Sequence, residues 1–212
     1  MNRLARFILA TIFFTGFFLE ISNFNGRDTY GQDEIKDSND LNKPSTDQNK
    51  SNAQAENNFT ENYQGIEITG SPEFILKTKE AIKLLEQAPE FELVRPYLGA
   101  IKTAKCSGMD IYQNVLTYEV GDVTFQSPLP WYASTIAHDA CHSFVYHQEK
   151  EKLGGKEPAV ESWLGQEAER SCLVFQWEVL QRLTQEECML GYLQELVTNP
   201  TYQDTEYKDR SW

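Results

Sequence analysis

All three histidines of the chain, His138, His142 and His147, fall inside one ten-residue window. His138 and His142 are four residues apart. On a helix that spacing stacks two side chains one turn apart on a single face, so both imidazoles can converge on one ion at Zn–N distances of about 2.0 to 2.1 Å. The run His138-Asp139-Ala140-Cys141-His142 therefore reads as half of a zinc site. Histidines on an amphipathic helix can also be merely half-buried and hydrogen-bonded. Against that stands the ligand spacing of this pair in a chain whose remaining histidine is His147 alone. His147, five residues beyond His142, turns away from the pair's face and is a fallback ligand.

A third ligand has to come from elsewhere, and two-histidine catalytic zinc sites commonly take a carboxylate from a following helix. Glu167 and Glu169 compete for that role. At about 100° per residue, Glu169 shares a face with Gly165, Cys172, Leu173, Gln176 and Leu180, beside the apolar stripe of Ala168, Phe175 and Val179. Glu167 points with Arg170, Ser171, Glu178 and Gln181. A carboxylate on the packed face needs a metal or a compensating charge, whereas one on the polar face needs only water. Glu169 is the expected third ligand; a capping or salt-bridging carboxylate near a helix start is the competing reading.

With these residues in hand, His138, Asp139, His142 and Glu169 resemble the site of the zincin metallopeptidases of the gluzincin type. Those enzymes carry a His-Glu-x-x-His helix and a downstream glutamate ligand. The likeness covers about Trp131 to Gln181, and the chain resembles a bacterial zincin-like family with a His-Asp-x-Cys-His helix. It implies zinc held by His138, His142 and Glu169, and an exported hydrolase that acts on a peptide or protein substrate through zinc-activated water. It also implies a general base at Asp139, where the pattern usually has glutamate. Aspartate is one methylene shorter, so its carboxylate stands about a bond length further from the water it must reach. The resemblance further implies an extended peptide along an edge strand, for which Val123 to Gln126 is the candidate. Tyr132, Tyr146 and Arg170 are the candidate oxyanion stabilisers by nearness in sequence. The alternative is a non-catalytic exported binding or structural domain, in which zinc ties two helices together with a fourth protein ligand and Asp139 only supports a histidine.

If His142 and Glu169 meet at one ion, Cys141 and Cys172 lie on facing helices. A disulfide between them would then staple the site, leaving Cys106 and Cys188 as a second pair. The competing reading is four small apolar residues. A Cys141–His142 nucleophile pair is disfavoured, because adjacent helix residues point about 100° apart.

The elements that must position these groups follow from periodicity. From Trp131 to Lys150 there is no Gly or Pro, and Ala133, Ile136, Ala137, Ala140 and Phe144 form one stripe, which predicts a long helix ended by Gly154-Gly155. A second helix runs from Ser162 or Gly165 to Leu183, and the capping box Thr184 to Glu187 opens a last one through Val197. Ahead of them, Ser71-Pro72 starts a helix to about Gln87, and a shorter helix is expected around Phe91 to Tyr97. Ile101 to Cys106 is a candidate strand. Val115 to Glu119 and Val123 to Gln126 would pair as a hairpin about Val120-Gly121-Asp122. The expected fold class is α+β: a minimal zincin-like domain over residues 63–212, mostly helical, with a small sheet of about three strands.

Arg3 and Arg6 ahead of the apolar run Phe7 to Leu19 read as a signal peptide or N-terminal anchor over residues 1–24. Residues 25–62 are polar enough to read as a disordered linker. The expected location is therefore extracytoplasmic: secreted, periplasmic or held to a membrane by the N-terminus. Nineteen Lys and Arg against 32 Asp and Glu give a net charge of -13, which argues against nucleic-acid partners and against membrane contact outside the N-terminal segment.

Overall fold

A computed structural model describes residues 58–112 and 115–199. The expected signal or anchor (1–24) and most of the linker (25–62) lie outside the described residues. The fold is mixed α/β, and 60% of the described residues are helical. The helical predominance expected from the sequence holds, but the sheet has five strands instead of about three.

Two of the unexpected strands open the fold. β1 (Phe59–Tyr63) and β2 (Ile66–Gly70) form an antiparallel hairpin around Gln64 and Gly65. Both turn residues have positive φ, 53° and 85°, as a tight two-residue hairpin turn requires. The hairpin takes in residues 59–62, which had been assigned to the linker; the polar run Phe59–Tyr63 forms an exposed edge that needs no apolar face. Ser71 caps α1 (Pro72–Leu85) by accepting a hydrogen bond from the Phe74 N–H at 3.2 Å, and Pro72 fills the first turn. The short α2 (Phe91–Val94) and a single 3-10 turn at Arg95–Tyr97 lead into β3 (Ala100–Thr103). β4 (Gly108–Asp110) and β5 (Thr117–Val120) complete the sheet in the order β1-β2-β3-β5-β4. β3 runs parallel to both β2 and β5, while β4 is antiparallel to β5.

The expected second hairpin is absent. Residues Asp122–Gln126 form a short helix, α3, so Val123 to Gln126 is not a strand. β5 already has β3 on one edge and β4 on the other, which leaves no edge for residues 123–126 to pair with. Locally, the Ser107 hydroxyl accepts the Gly121 N–H at 3.0 Å and the Gly121 carbonyl accepts the Phe125 N–H at 3.0 Å, which turns the chain into a helix.

α4 (Leu129–Lys152) is the central element. It packs against α1, β4 and β5 and also against α6 (Gln166–Leu183). Ala133, Ile136, Ala137 and Ala140 are all fully buried along it, and Tyr132 reaches Thr78 of α1 through a buried 2.8 Å hydroxyl–hydroxyl hydrogen bond. One turn of helix, α5 (Glu161–Leu164), precedes α6, and α7 (Glu187–Thr198) follows it. α7 seals the far side with a cluster of Leu173, Leu180 and Leu193.

Candidate metal centre

The helix spacing does what the sequence requires of it. His138 and His142 stand one turn apart on α4 with their Nε2 atoms 3.1 Å from each other. α6 brings Glu169 onto both: Oε2 lies 3.2 Å from His142 Nε2, and Oε1 lies 3.6 Å from His138 Nε2. Ligands held about 2.0 to 2.1 Å from a tetrahedral ion stand about 3.3 to 3.4 Å from one another. The observed separations of 3.1, 3.2 and 3.6 Å lie near that value, with a different Glu169 oxygen nearest each imidazole. His142 and Glu169 are buried, and the His138 side chain is 12% exposed. The group of two imidazoles and one carboxylate could therefore hold a metal ion.

Glu169 reaches this position because of the joint before α6. Gly165 links α5 to α6 where a Cβ would lie 2.2 Å from the Glu161 carbonyl oxygen, so only glycine fits. The Gly165 carbonyl accepts the Glu169 N–H at 2.9 Å, which sets the register of the first turn. Glu167, two residues earlier, is exposed and does not join the group. His147 does not either: its Nδ1–H donates to the Ser143 carbonyl at 2.7 Å and its ring packs against Tyr97 and Tyr146.

The Trp163 carbonyl, on α5, is the contribution that sequence reasoning missed. His142 Nδ1 donates to it at 2.8 Å, which leaves Nε2 facing Glu169 and His138. Fixing the outer nitrogen to a carbonyl is how proteins orient a metal-binding imidazole. No side-chain signal could have located it, since any residue supplies a carbonyl. Burial disfavours a charge on His142, but the Glu169 hydrogen bond and charge, with Asp139 and the Trp163 carbonyl behind them, outweigh it. The His142 pKa is pushed up to about 9.

The cluster forms one wall of a cleft of about 610 Å³. Asp139 lines the same cleft, as do Ser107, Thr135 and Tyr118. Tyr118, on β5, is fully buried and donates to the Thr135 hydroxyl at 3.2 Å. Burial, with the Asp139 charge behind it, holds its phenol well above the ordinary value. Of the expected oxyanion stabilisers, none lines the cleft. Tyr132 is bonded to Thr78 in the core, Tyr146 to Glu157 and Lys150, and Arg170 points elsewhere on α6. Val123 and Thr124 do line the cleft, but from the helix α3, and β4, the terminal strand of the sheet among the described residues, lines it along Gly108 to Asp110.

Cys141 and Cys172 are both fully buried and sit against each other across α4 and α6, as expected, but as free thiols. Cys106 and Cys188 are also free and are exposed, so the second expected pair is not formed. No protein-family model, curated protein or solved structure matches the chain.

Proposed function

We propose that the chain is a zinc-dependent hydrolase of the zincin kind, acting on peptide bonds, with His138, His142 and Glu169 as metal ligands. The observation that carries this reading is the set of ligand-atom separations, 3.1, 3.2 and 3.6 Å, formed on the wall of a cleft that also contains an acid–base candidate. Held by His138, His142 and Glu169, zinc would supply Lewis acidity, making a water more acidic and a carbonyl more electrophilic. Asp139 takes a proton from the attacking water and returns it to the departing amine as the C–N bond breaks. His142 is held in orientation by Trp163, and Glu169 keeps the two imidazoles together. β4, Gly108 to Asp110, is the terminal strand of the sheet among the described residues, and an extended peptide could lie along it.

Ligand number separates this reading from a zinc that merely ties helices together. Structural sites fill four positions with protein ligands, whereas catalytic ones keep one for water. Among the described residues, no fourth His, Cys, Asp or Glu joins the three. Export through residues 1–24 belongs to the same proposal and would place the activity outside the cytoplasm.

Metal analysis of the purified full chain tests the site, with one zinc per chain expected and none retained by His142→Ala. Asp139→Ala tests the chemistry. Zinc should stay bound while hydrolysis of a mixed peptide pool falls by at least a hundredfold. Full hydrolysis in Asp139→Ala would remove Asp139 from the mechanism, and a zinc-free wild-type chain would remove the enzyme reading.

A further inference from the structure

Two separate apolar clusters reach the cleft that holds the metal-binding group. The first joins Trp163 to Ile111, Met109 and Leu164 under β4. The second is built by α4, α6 and α7, where Trp131 and Leu196 pack against buried Leu173, and Tyr192 lies over Trp131 with ring centroids 5.5 Å apart. Trp131, Leu173, Tyr192 and Leu196 all line the cleft, and Tyr192 is 55% exposed. Gln176, one turn beyond Leu173 on α6, also lines the cleft, but its amide is committed to the Ser134 hydroxyl at 3.1 Å. This end of the cleft therefore presents ring faces and methyl groups. Such a surface gains from covering an apolar group and gives nothing to a polar one.

The charge of the cleft narrows the occupant further. Among the described residues its lining includes Asp110, Glu119, Asp139 and Glu169, and no Lys or Arg. Glu119 is offset by Lys102, at 3.0 Å, but Lys102 itself stays outside the cleft. An acidic substrate would meet like charge there and a neutral or basic one would not.

We infer that the compartment formed by Trp131, Leu173, Tyr192 and Leu196 receives a bulky apolar side chain, leucine-sized or aromatic, from an uncharged or basic peptide, beside the bond that is cut. The inference rests on the hydrolase reading above and adds the substrate class to it. α7 then supplies specificity, since Tyr192 and Leu196 stand one turn apart on its cleft face.

The test uses the zinc-loaded full chain and capped pentapeptides Ala-Ala-X-Ala-Ala with X as Gly, Leu, Phe, Asp or Lys. Binding is measured by calorimetry on the Asp139→Asn variant, and cleavage sites are mapped by mass spectrometry on the wild type. The Leu and Phe peptides should bind at least tenfold more tightly than the Gly and Asp peptides, with cleavage next to X. Tyr192→Asp, at an exposed position that leaves the core intact, should reduce the preference for Phe about tenfold, and Leu196→Asp should do the same. Equal affinity across the series, preference for Asp, or selectivity unchanged in both variants overturns the inference. Cleavage without side-chain preference overturns it while leaving the hydrolase reading in place. Selective binding that both variants weaken, without any cleavage, supports the compartment and removes the hydrolase instead.

Discussion

On the His142 ring, two opposite demands meet. Its burial favours a neutral imidazole, yet Glu169 at 3.2 Å draws a proton onto it and pushes the pKa up to about 9, from 6.5. The zinc-free fold thus keeps a proton that the unfolded chain releases between those values. The resulting stabilisation is fully present below pH 6.5 and is lost as the pH rises through about 9. It amounts to on the order of 3 kcal/mol. Urea unfolding of the EDTA-treated chain at pH 6, 7.5 and 9.5 should show falling stability, and a flat or rising trend would contradict the His142–Glu169 pairing. Zinc has to displace the same proton, so its affinity should rise up to tenfold per pH unit toward pH 9, with proton release on binding measurable by calorimetry in two buffers. Glu169→Gln removes the charge that overcomes burial. The His142 ring should then titrate well below 9 in an NMR titration, because burial is opposed only by the Asp139 charge and the Trp163 carbonyl. At this scale the sequence was most informative: His138, His142 and Glu169 could be chosen because a helix has one geometry. The Trp163 carbonyl could not, because its role depends on where α5 docks.

Among the elements, the joint between α5 and α6 is the least tolerant. Gly165→Ala would drive a Cβ to 2.2 Å from the Glu161 carbonyl oxygen, costing about 2 kcal/mol or more and shifting the turn that carries Glu169. Denaturation midpoint and zinc affinity should fall together. Gly191, in α7, has open space where a Cβ would go, so Gly191→Ala should stabilise the fold by about 0.5 to 1 kcal/mol. A comparable loss in both variants would show that the joint is not special. The α4–α6 contact gives a further check: Cys141 and Cys172 are sealed inside it, whereas Cys106 and Cys188 are exposed. Under native reducing conditions, after the reductant is removed, a thiol reagent should label two cysteines quickly and the other two only on unfolding. The long helices were legible because α4 and α6 bury regular apolar stripes over many turns. The sheet was harder to read. β4 has three residues, and β1 is polar because it lies at an edge. Val123-Thr124-Phe125 has strand-like residues but lies where β5 has no free edge, a long-range fact that local pattern cannot supply.

For the whole molecule, the proposed ion would contribute to the stability of the fold as well as to its chemistry. Free zinc at a hundredfold its Kd should add about 2.7 kcal/mol and raise the melting temperature by several degrees, with EDTA reversing the gain. An unchanged melting curve would mean that the three ligands are not occupied together. Among the described residues no helix is long and apolar enough to cross a membrane, and the net charge of -13 is carried by a chain whose candidate substrate cleft is itself acidic. His138 and His142 are adjacent on one helix, but the carboxylate that completes the set and the carbonyl that aims His142 arrive on two others. A chain still emerging from synthesis, or threaded through a pore, offers a metal only a loose two-pronged grip. Under the proposed reading, capture would accordingly be a late step of maturation, and the ion pool of the place where α5 and α6 finally close over α4 would select the element that occupies the site.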